Sequence, residues 1–82
     1  MTLSDIREGG DFVIAEVRAR GEIRRRLLDM GFVRGARGKV LREALLRDPI
    51  ELFIQGYRIS LRRSEALQIL VEDMNESNQG SE

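Results

Sequence analysis

Cysteine, histidine and tryptophan are absent from these 82 residues, and proline occurs once. Without cysteine there is no disulfide, no thiolate metal site and no thiol nucleophile. Without histidine the chain lacks the commonest general base and the commonest metal ligand. One tyrosine and three phenylalanines leave few platforms on which nucleobases could stack. The longest apolar run is the four residues Phe12 to Ala15, too short for a membrane-spanning helix. The opening Met1-Thr2-Leu3-Ser4-Asp5 has neither the basic nor the apolar region of a secretory signal. Gly9-Gly10 is not a phosphate-binding loop. One small domain buries roughly 60% of its unfolded surface, which leaves little room for a substrate cleft. These absences point to a small cytosolic domain that is not an enzyme and holds no cofactor.

Charge is present in equal amounts of both signs, with 14 basic and 14 acidic residues. That balance argues against a uniformly basic nucleic-acid binder. The distribution is uneven. All 14 basic residues fall within residues 1–70, whereas Glu72, Asp73, Glu76 and Glu82 make the end acidic. Residues 74–82 carry too little apolar surface to offset the entropy of ordering, so we expect a disordered acidic tail after a domain at 1–73.

The body reads as alternating short elements. Asp11–Ala19 has strand periodicity, with Val13, Ala15, Val17 and Ala19 on one face. Phe12 and Ile14 make the second face apolar as well at its start. Glu22–Met30 reads as a helix. With Ile23 at 0°, Leu27 falls near about 40° and Met30 near about 340°, one buried stripe. Gly31 stands where a left-handed cap belongs. Strands are expected at Arg37–Glu43 and Ile50–Ile54. Gln55-Gly56 then makes a two-residue hairpin loop that pairs Ile54 with Tyr57, Phe53 with Arg58, Leu52 with Ile59, Glu51 with Ser60 and Ile50 with Leu61. Alternate pairs are apolar on both sides, so a shift of one residue would scramble the pattern. A helical turn at Ser64-Glu65-Ala66 and a strand at Gln68–Glu72 complete the order. Five short strands with unprotected edges favour a curled, nearly closed barrel, with one helix after the first strand as a lid.

Several side chains invite a role beyond packing. Leu28 falls near about 140° on the helix, off the buried stripe and beside Arg24 near about 100°. Leu28 either packs against a neighbouring loop or offers an apolar contact to a partner. Arg24, Arg25 and Arg26 point three ways and form no single phosphate patch; Arg26 flanks the buried face and reads as structural. Phe53 opposite Arg58 on the outward face of the hairpin is either local sheet packing or a contact for a partner or a second copy.

The run Arg25-Arg26-Leu27-Leu28-Asp29-Met30-Gly31-Phe32-Val33-Arg34-Gly35, then Val40-Leu41, Asp48-Pro49-Ile50-Glu51 and Gly56-Tyr57-Arg58-Ile59-Ser60-Leu61-Arg62-Arg63-Ser64-Glu65-Ala66, resembles the ferrous iron transport protein A (FeoA) family in order and spacing. The resemblance covers residues 3–72. It implies a mainly β, SH3-like barrel of five strands in the bacterial cytoplasm. It also implies association with the membrane ferrous iron permease and its GTP-binding domain, with recruitment to the inner face of the membrane. The partner-binding residues expected from their positions on the helix and the hairpin are Arg24, Leu28, Phe53 and Arg58. The protein itself is expected to be a monomer or weak homo-oligomer that does not insert in the membrane. A Fe(II) site usually combines imidazole with carboxylates, and only carboxylates are available here, so no metal site is expected. The alternatives are a small nucleic-acid-binding barrel, which the scarce aromatics disfavour, and a stand-alone regulatory domain of the iron-dependent-repressor type. Three positions depart from the family's usual pattern. Leu45-Leu46-Arg47-Asp48-Pro49 lacks a Pro and a Gly, Arg34 replaces Pro, and Gly38 replaces an apolar residue, which marks a bulge or a close backbone approach.

Overall fold

The hairpin organises the molecule. In the computed structural model, which describes residues 1–43, 46 and 48–74, Ile50–Ile54 (β3) and Tyr57–Leu61 (β4) pair in the register expected from the zigzag, from Ile54 opposite Tyr57 to Ile50 opposite Leu61. Gln55 and Gly56 both have positive φ, 54° and 83°. That is the backbone of a tight turn whose twist matches the strands it joins. Ile50, Leu52, Ile54 and Leu61 turn inward and are buried, and Ile59 packs partly against them.

Around the hairpin the chain lays down Asp11–Val17 (β1), Gly21–Asp29 (α1), Arg37–Glu43 (β2), Arg63–Ala66 (α2) and Ile69–Asp73 (β5), preceded by a 3-10 turn at Leu3–Asp5. All five strands join one antiparallel sheet in the order β4-β3-β2-β1-β5. The fold is therefore mainly β, with the expected element order. Of the tail expected at 74–82, residues 75–82 lie outside the described residues, as do residues 45 and 47 of the 45–49 loop. Within that loop Leu46 is exposed with φ 66°, and the Asp48–Pro49 peptide is cis.

Two irregularities let the sheet curl. The ladder shifts register between Ile14 and Glu16 where β1 meets β5, and between Val40 and Arg42 where β2 meets β3. A bulge adds one residue to one strand, bends it and inverts the alternation beyond it. This corrects the expected face of β1. Phe12 and Ile14 point into the core, and after the bulge so does Val17; Val13 and Ala15 are only half-buried. A strict period of two could not satisfy both halves of the strand. The bulge reconciles them.

Gly38 shows a close approach rather than a bulge. It pairs with Phe12 on one side and Ile54 on the other. A Cβ there would sit 2.5 Å from Phe12 Cζ and 2.7 Å from the Phe53 carbonyl oxygen. The Phe12 ring thus packs directly over the β2 backbone, and the missing side chain is what admits it. The resulting core joins Leu3, Ile6, Phe12, Ile14, Leu27, Phe32, Val40 and the hairpin residues in one cluster.

Candidate partner-binding surface

Helix α1 is seated on the barrel by its C-terminal end. At its C-terminus Phe32 N–H donates to the Leu27 carbonyl and Gly31 N–H to the Leu28 carbonyl, both at 3.0 Å. These are the two bonds of a Schellman cap, with Gly31 at φ 106° as its left-handed residue. The expected cap at Gly31 is therefore present. A Cβ on Gly31 would meet the Gln55 side chain at 2.6 Å, so the cap also seats the helix on the hairpin tip. Leu27 and Phe32, brought together by the cap, are fully buried.

The first turns of α1 stand away from the core. Residues 21–26 are all exposed. Ile23, expected in the buried stripe, is 43% exposed, and only Leu27 within the helix is fully buried. Met30 and Leu28 pack partly against the core. The stripe fails at Ile23 because the helix touches the barrel at its C-terminal end. Its N-terminal end instead follows an exposed, extended Arg20 whose side chain makes no cap.

The arginine triplet divides its work as its angles suggest. Arg24 Nη1 donates to the Val17 carbonyl at 2.6 Å, tying the helix to the end of β1. Arg26 forms an ion pair with Glu65 on α2. Glu65 is only 9% exposed and also accepts the Arg62 N–H at 3.1 Å, so its carboxylate both caps α2 and latches α1 to it. Sequence reasoning missed Glu65. Its signal was an acid four residues after the end of a strand, at the third position of a short helix. Between α1 and α2 lies an open cleft of about 580 Å³, lined by Ile23, Arg25, Arg26, Arg62, Glu65 and Gln68.

The four residues singled out as partner contacts fall into two pairs. Arg24 and Leu28, one helical turn apart, line a shallow groove with Val17, Phe32 and Arg34. Arg24 is exposed with its guanidinium committed to a backbone carbonyl, Leu28 beside it is half-buried, and Glu16 lines the same groove as Arg34. Phe53 and Arg58 face each other across β3 and β4. Phe53 is 45% exposed and has Lys39 as its neighbour on β2; Lys39 in turn lies 3.8 Å from Asp11 on β1. This row crosses the sheet level with Asp11, whereas the Arg24 anchor is at Val17, roughly 20 Å further along β1. The structure thus brings each pair together and sets the two pairs apart.

Among the described residues no group of three or more acidic side chains could hold a metal ion, and no helix is long and apolar enough to cross a membrane.

A five-stranded, curled antiparallel sheet with one helix after its first strand is a small SH3-like barrel. The FeoA domain model matches residues 1–73, and the chain belongs to that family. It is 46% identical over 72 residues to a Fe(2+) transport protein A/Fe(2+) transporter FeoB fusion protein of Porphyromonas gingivalis; this match takes in 88% of the chain but only 8% of that relative's length. Among solved structures, the FeoA protein from Chlorobium tepidum is 44% identical with a TM-score of 0.85, covering 90% of this chain and 70% of that one. A Stenotrophomonas maltophilia FeoA complexed with zinc, described as a procaryotic SH3 domain protein, is 30% identical with a TM-score of 0.78, covering 88% and 89% of the two chains.

Proposed function

We propose that this domain works by docking on the ferrous iron permease at the cytosolic face of the bacterial membrane, where it biases the permease's GTP-binding domain. The observation that carries this reading is the fusion. In the Porphyromonas gingivalis relative, a segment matching this chain shares one polypeptide with a Fe(2+) transporter. A covalent link supplies a high effective concentration of one part near the other. Where a member of the family is not fused to the transporter, a binding surface has to supply that proximity. A docked domain alters its partner only if it binds two of the partner's states with different affinity, so nucleotide-dependent binding is the expected signature.

The groove at Arg24 and Leu28 is the primary contact in this reading, and the Phe53–Arg58 pair a second one. Burying the part of Leu28 still exposed contributes about 0.5 kcal/mol, or roughly twofold in Kd. Iron is the permease's cargo here, not a ligand of this chain, whose donors are carboxylates without imidazole or thiolate.

The test is capture of the permease from bacterial membranes by the tagged chain, with and without guanine nucleotides. Wild type is expected to retain the permease in one nucleotide state more than the other, and Leu28→Gln to weaken retention while melting as wild type does. Unchanged retention by a folded Leu28→Gln removes this groove from the interface. No retention in any nucleotide state overturns the docking role.

A further inference from the structure

The two edges of the sheet are treated differently. Beyond β5 the N-terminal residues cover the edge. Val71 N–H donates to the Met1 carbonyl at 3.0 Å, and Thr2 bridges Leu70 in antiparallel fashion. Beyond β4, no described residue pairs with the strand. An uncovered edge is a template for another strand unless charge, proline or a bulge blunts it. Strand β4, Tyr-Arg-Ile-Ser-Leu, contains neither proline nor bulge, and its one charge, Arg58, lies on the outward face.

The groups this edge presents follow from the hairpin. A two-residue loop makes Ile54 and Tyr57 a hydrogen-bonded pair, and pairs then alternate along the ladder. Arg58 and Ser60 therefore belong to the non-bonded pairs with Phe53 and Glu51, and direct their N–H and C=O away from β3. On the inner face near this edge, Tyr57 is 68% exposed and Ile59 half-buried.

We propose that two copies of this chain pair antiparallel through β4, about a two-fold axis at Ile59, to make one continuous sheet. In that register Arg58 of each copy faces Ser60 of the other in hydrogen-bonded pairs, each exchanging both bonds. The two Ile59 side chains meet across the axis, and each Tyr57 lies against the other copy's Leu61. The occupant is a second copy because the strand is self-complementary at this register. The arginine of one copy meets a neutral hydroxyl, so no like charges stand directly opposite each other, and the isologous contact closes after two subunits. The area is small, so the dimer belongs to the weak, concentration-dependent class.

Sedimentation of the full chain up to millimolar concentration tests this. Wild type is expected to show a reversible monomer–dimer equilibrium. Ser60→Pro removes an edge N–H that β3 does not use, and should abolish the dimer while leaving a cooperative melt. Two further variants separate pairing from folding. Ser60→Glu places a carboxylate opposite Arg58 of the second copy and should tighten the dimer by roughly tenfold, whereas Ser60→Arg should weaken it by a similar factor. Opposite Glu51 within the same chain the order reverses, so Ser60→Arg should melt higher than Ser60→Glu. A strict monomer at millimolar concentration overturns the proposal. So does a dimer indifferent to all three variants, or one that pairs β4 only with a strand of another protein.

Discussion

The hairpin β3–β4 and the helix α1 are the two regions of this chain with clear amphipathic periodicity, and they obey it to different degrees. In the hairpin every expected pair forms. In the helix one of three stripe residues is fully buried, one is half-buried and one is exposed. The difference lies in what sets the face. A strand's inward side is dictated by hydrogen-bond register, which moves in whole residues, so a small displacement is not available. A short helix satisfies its own backbone and can tilt about whichever contacts hold it. Here those contacts are the Gly31 cap, the Arg24 bond to the Val17 carbonyl and the Arg26–Glu65 pair. The lid is held by polar anchors at its margins and by one leucine beneath.

The sharpest way to break this comparison is to remove that leucine. Leu27→Ala leaves a cavity under the lid and should cost about 3 kcal/mol, read as a fall in the urea midpoint at unchanged slope. A loss below about 1 kcal/mol would mean that the polar anchors alone hold the helix down. The corresponding change in the sheet is Gly38→Ala. Its Cβ has backbone on one side and the Phe12 ring on the other, so neither neighbour yields easily. Overpacking of this kind should cost about 2 kcal/mol and broaden the amide signals of β1 and β2 rather than those of α1.

The same contrast explains what could be read from the amino-acid order. Strand boundaries at Arg37–Glu43 and Ile50–Ile54, the turn at Gln55-Gly56 and the cap at Gly31 were legible because each rests on neighbours within a few residues. The face of β1 was not, because a bulge at its middle is induced by pairing with β5, more than fifty residues away. Ile23 and Glu65 were misjudged or missed for a related reason. One depends on how far a helix leans, and the other on an arginine thirty-nine residues earlier. For the partner contacts, the composition of Arg24–Leu28 and Phe53–Arg58 was legible, whereas their separation to distant parts of β1 needed the sheet.

Arg26→Met sharpens the comparison from the side of the anchors. The substitution keeps the aliphatic stem and deletes the charge that faces a largely buried carboxylate. Because Arg26 itself is more than half exposed, water can replace part of what is lost, and the expected cost is about 1 kcal/mol. The local readout is more telling than the global one: amide exchange in α1 and at the start of α2 should quicken, while the hairpin stays protected.

The smallest effect is expected at Ile23. If the first turns of α1 stand clear of the barrel, Ile23→Ser removes an apolar side chain that the fold does not use, and the melting curve should shift by less than about 0.5 kcal/mol. A buried isoleucine at the same helical angle would cost several times more. The outcome therefore measures the tilt of the lid directly. A loss approaching that of Leu27→Ala would show that α1 lies flat in solution, with its whole stripe on the core. The cleft between the two helices would then close, and Leu28 would be turned toward solvent.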